Sequence, residues 1–452
     1  MPDTPRSKNG PTSQLIAEDS KKNLADSTRT GSSETSKNVA WVKSVVPFSI
    51  ATGPVGTLVV LLVLNFHGSV IDVGFAVTLF NAVSIPAAIF WGFATDRLHR
   101  RKMIIVASYV ATAAILILFL FAANLYYVTL LYALFSFVTT AVTTPLNLLV
   151  METSPKQKWS SAFAWFSMLS SIGQTAGLIL STAWASFLIL SYLVIPLATL
   201  SIASAVLSVL MIKEPSFVFE CQMIIHNKHS FFDRLQRIPF IFFRIPRLSD
   251  FKRVFRALKY DLTRNVPILY FSIFMFWVAA GLFNTSVIPS LTANKISNLT
   301  IFLIITIVNI IQIFSFEYAG SYAEKTSLIG ASIFGLIIRS VGYALLGVSF
   351  FFVSGFWYAI PVLVFYSLAS GFAFSIYYTA SNTMIFNTLG GNSQGSSLGV
   401  YSALVGVATM AGSLISGFSS FYLNFSVTFI VASVCLAFST WLVFLLRETP
   451  EN

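Results

Sequence analysis

From Val45 to Leu446 the chain alternates between long, continuously apolar runs and short polar breaks. The runs lie near 45–66, 72–95, 103–122, 125–150, 160–182 and 186–212, and then near 266–290, 299–318, 328–348, 356–385, 396–419 and 424–446. Each is close to the about 20 residues that a helix needs to cross a ~30 Å hydrocarbon core. Inside lipid every backbone N–H and C=O must be satisfied within the span. Runs apolar on all sides do this as helices, not as the alternating strands of a barrel. The pattern predicts an all-α integral membrane protein with twelve transmembrane helices, six on each side of the polar segment 213–265. Breaks such as His67-Gly68-Ser69 and Thr292-Ala293-Asn294-Lys295 set the count.

Composition sharpens this picture. Of 452 residues 56% are apolar and 10% charged, against about a quarter charged in soluble domains. The net charge of +11 does not point to nucleic acid, because the basic residues sort by loop. If residues 1–43 form a disordered cytoplasmic tail, the inner segments hold 26 of the 28 Lys and Arg. Lys295 is then alone outside and Arg339 lies within a helix. This bias places both termini in the cytoplasm, and the plasma membrane is the expected location. The domain reading is a tail over 1–43, a six-helix bundle over 44–213, a basic loop over 214–265 and a second six-helix bundle over 266–452.

Candidate chemistry is sparse. Cys221 and Cys435 are too few for a disulfide framework. His226 and His229 form HxxH in a basic loop, a poor metal site on its own. No phosphate-cradling GxxxxGK[ST] occurs. No enzyme, metal or cofactor is expected. In the basic loop Phe251, Val254, Phe255, Leu258 and Leu262 recur at helical spacing with Lys252, Arg253, Arg256 and Lys259 between them. A 249–264 helix is therefore expected to lie on anionic lipid or on the cytoplasmic ends of the bundle.

The two halves repeat. Gly92-Phe93-Ala94-Thr95-Asp96-Arg97 stands after the second helix and Gly320-Ser321-Tyr322-Ala323-Glu324-Lys325 after the eighth, 228 residues apart. Both read Gly, three residues, acid, base. Lys213-Glu214-Pro215 and Arg447-Glu448-Thr449-Pro450 close the two halves alike. With its helix count and central loop, the chain resembles the major facilitator superfamily. The loop between helices two and three in that family reads G-x-x-x-D-[RK]-x-G-[RK]-[RK], and Gly92, Asp96, Arg97, Arg100 and Arg101 match it, with His99 at the usual glycine.

The resemblance implies two six-helix bundles related by pseudo-symmetry and transport by alternating access. It also implies a conformational latch at Gly92, Asp96, Arg97, Arg100 and Arg101, with a reduced copy at Gly320, Glu324 and Lys325. Physically, Gly92 would allow close helix approach, Asp96 would accept from helix N-terminal amides, and the arginines would bridge the seam between halves. The same basic cluster could instead serve only to orient the chain. Gly173 and Gly177 in helix five, and Gly399, Gly406, Gly412 and Gly417 in helix eleven, read as packing positions.

Glu317 in helix eight and Arg339 in helix nine are the clearest intramembrane charges, each costing at least about 2.5 to 3.5 kcal/mol near a helix centre if unpaired. Three readings stay open: an ion pair between the helices, a substrate or proton site, or Glu317 reaching the inner surface. Glu317 is the one carboxylate expected to be well buried. Asp72 at the outer start of helix two reads as favouring the helix N-terminus. In the family, helices one, four, seven and ten line the cavity, with two, five, eight and eleven around them. That places Gln174, Asn309 and Gln312 near the midplane, Trp277 in the middle of helix seven, and Asn147, Tyr377, Tyr378 and Asn382 lower as candidate cavity residues.

With almost no fixed charge, a small neutral or amphipathic solute is favoured over a polyanion, and Arg339 leaves room for a monocarboxylate. The expected partners are this solute, a proton as candidate coupling ion and membrane lipid, without nucleic acid, and the chain is expected to act as a monomer. A lipid-handling carrier and a transporter-like receptor without flux are the competing readings.

Overall fold

The computed structural model describes residues 40–98, 101–153, 159–212, 265–388 and 394–446. The tail, His226 and His229, Cys221 and the 249–264 helix lie outside them. Twelve long helices follow in order among the described residues. The first, α1, has two segments, Val45–Thr52 and Val55–Asn65. Then come α2 Val70–Leu98, α3 Arg101–Leu118, α4 Leu125–Thr153, α5 Trp159–Phe187 and α6 Val194–Met211. The second half holds α7 Asn265–Ala293, α8 Asn298–Lys325 and α9 Leu328–Phe352. It continues with α10 as Ala359–Tyr366, a π-helical turn Ser367–Ala373 and Phe374–Thr388, and ends with α11 Gln394–Tyr422 and α12 Phe425–Phe444.

Three departures from the sequence pattern have local causes. The first helix is interrupted at Gly53-Pro54, because Pro54 has no N–H to continue the ladder and its ring crowds the preceding turn. The tenth carries the wider π-turn. The second and eighth run on to Leu98 and Lys325, so Gly92, Asp96, Arg97, Gly320, Glu324 and Lys325 stand on terminal helical turns and not in loops. Beyond the hydrocarbon, charged residues do not end a helix, and basic ones complement its C-terminal dipole. Eleven of the twelve are long and apolar enough to cross a membrane by length and composition. The exception, α5, carries Ser170, Ser171, Gly173, Gln174, Thr175 and Gly177 through its middle.

The repeat extends into the packing. In the first half α1 packs on α5 and α6, α2 on α4, and α3 on α4 and α6. In the second half α7 packs on α11 and α12, α8 on α10, and α9 on α10 and α12. The offset of 228 holds residue for residue at the first turn. His67 and Lys295 both take positive φ, 58° and 60°. Gly68 N–H donates to the Val63 carbonyl and Ile296 N–H to the Leu291 carbonyl, the helix-ending motif that satisfies orphan carbonyls. Ser69 and Ser297 then begin the next helices. Ser69 N–H donates to Asp72 Oδ2 at 2.7 Å and Asp72 N–H to Ser69 Oγ at 3.4 Å, a reciprocal capping box.

Small residues set the tightest crossings. A Cβ on Gly177 would collide with the Ile50 carbonyl oxygen, and a Cβ on Gly412 with that of Val278, the residue 228 places after Ile50. Backbones cross there at a distance only glycine permits. Serine pairs join other crossings, such as Ser272 with Ser439 at 2.9 Å and Ser433 Oγ donating to the Ser340 carbonyl at 2.8 Å.

Candidate functional site

The halves meet chiefly along two seams, α2 with α11 and α5 with α8. The named cross-seam contacts gather toward one end, that of the His67 and Lys295 turns. Gly74 faces Gly417, where a Cβ would stand 2.8 Å from the Gly417 Cα. Thr409 Oγ1 donates to Asn81 Oδ1 at 3.2 Å, and Thr182 Oγ1 lies 3.4 Å from Thr306 Oγ1. The Val55–Asn65 segment of α1 also packs on α7. At the opposite end a Cβ on Gly92 or Gly320 would meet no atom among the described residues within 4 Å. The close approach expected at Gly92 is thus not made in this conformation, because the helix ends that carry it stand apart from the described neighbours.

Between the seams the second half presents an aromatic wall. Trp277 of α7 is half-buried and stands edge-on to Phe276 and to Phe374, with centroids 5.4 and 6.3 Å apart. Tyr378 stacks on Phe374 at 5.2 Å, and Phe316 of α8 meets both edge-on. Asn382 Oδ1 accepts from the Tyr401 hydroxyl at 3.2 Å. Tyr377 departs from its expected place in the cavity: it is 2% exposed and packs its ring 4.1 Å from Phe276 in the bundle interior. Ring stacking on α7 takes it inward while Tyr378, one residue on, faces the opposite way.

The polar candidates on the seam helices are more dispersed. Gln174 is exposed, with Nε2 3.5 Å from Ser170 Oγ, and its Cα lies against Gly53. Asn309 is half-buried and donates to the Ile305 carbonyl at 2.9 Å. Gln312 is half-buried, and its carbonyl accepts from Ser375 Oγ at 3.1 Å. Asn147 sits on α4 and Asp96 and Arg97 on α2; Arg101 opens α3 half-buried. Arg100 and His99 lie outside the described residues.

The charged pair resolves into two unrelated sites. Glu317 is exposed on α8 and forms no ion pair with Arg339, correcting both its expected burial and the helix-stitching alternative. Its neighbours Phe314 and Tyr318 are exposed as well, 70% and 52%, so this face of α8 turns away from α9.

Arg339 is 1% exposed. Its Nε and one terminal nitrogen donate to the Tyr343 hydroxyl at 2.9 and 2.7 Å. The guanidinium carbon lies 4.6 Å from the Phe276 ring centroid, 5.2 Å from Phe374 and 5.3 Å from Tyr343. The other terminal nitrogen, NH1, is buried with no hydrogen-bond partner. Sequence reasoning passed over Tyr343, although its i+4 position from Arg339 was a legible signal. Phe276, Phe316, Phe374 and Tyr401 had none beyond being aromatic.

Twelve helices in two equivalent halves, closed on each other at one end, define the class: a multi-pass integral membrane protein with a transporter fold. Residues 44–255 match the family model of the Major Facilitator Superfamily. No curated protein sequence matches it. Among solved structures it is similar to the nucleoside transporter NupG, at 13% identity with a TM-score of 0.65, covering 91% of this chain and 100% of that one. A single-residue mutant of NupG gives the same TM-score and coverage at 12% identity.

Proposed function

We propose that this protein moves a small neutral or amphipathic solute by alternating access, with the solute held between the aromatic wall of α7 and α10 and the amides of α5 and α8. The observation that carries this reading is the one-sided closure. Cross-half contacts crowd the end of the His67 and Lys295 turns, while no atom of the described residues stands within 4 Å of a Cβ on the glycines at the other end. That is one of the two states between which rocking halves alternate. With the basic loops on the cytoplasmic side, the closed end is the outer one, both termini are inside, and the plasma membrane is the site of action.

Phe374, Trp277 and Tyr378 suit a planar or apolar body, and Asn309, Gln312 and Asn382 supply neutral hydrogen-bonding groups. NupG is a transporter of nucleosides, and the planar base of a nucleoside would fit such a wall. The latch residues Asp96, Arg97, Arg100 and Arg101 are proposed to close the inner end in the opposite state, with Glu324 and Lys325 as the second-half counterpart. Counterflow in vesicles of reconstituted full-length protein tests the proposal. Exchange of labelled solute from a panel of nucleosides, sugars, amino acids and monocarboxylates is the expected result. Ligand binding without exchange would make the chain a receptor, and exchange of labelled lipid alone would make it a lipid carrier.

A further inference from the structure

Arg339 is the sole charged side chain in the buried set of the described residues, and no side chain among them forms an ion pair with it. An arginine cannot discharge itself as a buried lysine or histidine does, because its pKa lies too high. The Phe276, Phe374 and Tyr343 rings offer their negative faces, and the Tyr343 hydroxyl takes two N–H groups, but none of these carries charge. NH1 remains without an acceptor. The Tyr377 ring packs on the same Phe276 ring, with its hydroxyl directed toward Ser272 and Ser439. A buried cation with an N–H left unsatisfied among apolar rings forms half of an anion site.

The other half of the molecule shows that the fold does not need the charge. Phe48 is the residue 228 places before Phe276. There the ring packs 4.2 Å from Tyr109 of α3, a neutral partner from the helix equivalent to α9. The two halves are otherwise built alike, so a guanidinium in the second half is an addition to the architecture.

We propose that Arg339 is the counter-charge for a substrate carrying a single carboxylate on an apolar or aromatic body. NH1 would take the carboxylate, and Phe374, Trp277 and Tyr378 the body. This rests on the transport reading above and narrows its substrate class to amphipathic monocarboxylates. The compartment is shut in this conformation, as NH1 is fully buried. The π-turn of α10, Ser367–Ala373, is the segment that would open it: Ser370 lies 3.4 Å from the Tyr343 hydroxyl, and Phe374 follows directly. Wide turns of this kind reach α geometry by a one-residue shift and mark functional sites in helices.

The test uses purified full-length protein with benzoate as the probe, benzamide as its neutral isostere and chloride as a bare monoanion, read by thermal unfolding. Benzoate is expected to raise the midpoint in a concentration-dependent manner while benzamide and chloride do not. Arg339→Gln should weaken the benzoate response by about 10- to 100-fold, the worth of charge-assisted hydrogen bonds, and Arg339→Lys should recover part of it. Should Arg339→Gln fail to fold, Arg339→Lys with benzoate must show a weakened response on its own, because an ammonium lacks the fork of the guanidinium. An equal response to benzamide, a benzoate response unchanged in these variants, or a chloride response matching benzoate would each overturn the carboxylate assignment. Counterflow separates this from the wider reading: exchange of neutral solutes alone leaves a transporter without a carboxylate site, and benzoate binding without exchange leaves the site without transport.

Discussion

A Cβ at Gly177 would run into the Ile50 carbonyl and one at Gly412 into that of Val278, so these two residues set how closely α5 and α11 can cross α1 and α7. Gly177→Val and Gly412→Val are each expected to destabilise the protein by about 1 to 3 kcal/mol through overpacking, seen as a lowered midpoint in detergent. Gly92→Ala and Gly320→Ala, with open space beside them, should change stability by less than about 0.5 kcal/mol. Equal losses at all four positions would contradict the crossing geometry. The same scale governs Arg339, whose two bonds end on one hydroxyl. Tyr343→Phe removes that acceptor and is expected to cost about 1.5 to 3 kcal/mol, more than Tyr366→Phe in the same α9–α10 region. These features differ in legibility. The glycines of α5 and α11 read as packing positions from their spacing, and Tyr343 was visible as an i+4 neighbour of Arg339. The absence of a Glu317–Arg339 pair was not visible, since it depends on which way α8 is rotated about its axis.

Helix ends and interruptions carry the next level of behaviour. The Gly-x-x-x-acid-base stretches lie on the last turns of α2 and α8, so any latch they form is a contact of helix termini with the facing half. A charge-assisted contact made in one state and lost in the other would bias the equilibrium between states. Asp96→Asn is therefore expected to lower the rate of solute exchange at least about tenfold while leaving the amount and orientation of protein in the membrane unchanged. Normal exchange would reduce the basic cluster to a topology signal. Helix existence was readable because a hydrophobic run long enough to span lipid is a one-dimensional property. The Gly53-Pro54 break followed from proline chemistry but not from hydropathy, and the π-turn of α10 left no mark in the pattern.

Across the whole molecule, the halves touch where α2 meets α11 and α5 meets α8, and the contacts gather at one end. If the chain works by rocking about these seams, tying the closed end must stop it. In a background of Cys221→Ser and Cys435→Ser, the pair Thr182→Cys and Thr306→Cys stands at positions whose side chains already approach to 3.4 Å across the seam. Oxidation is expected to abolish exchange and reductant to restore it, measured by counterflow in vesicles. Undiminished exchange in the cross-linked protein would rule out movement at this seam.

The sequence by itself determined the helix count, the sorting of basic residues among loops, the 228-residue repeat and the presence of a charge at membrane depth. Each of these rests on length, sign or spacing along one dimension. The tertiary structure alone decided toward which end the cross-half contacts gather, that Glu317 faces outward, that Tyr377 turns inward while Tyr378 does not, and that Arg339 meets aromatic rings and, among the described residues, no carboxylate. The reason is physical: helices apolar on every side can turn any face to lipid at similar cost. Their rotation is set by backbone crossings at glycine and by hydroxyl pairs on other helices, which no single run of sequence contains.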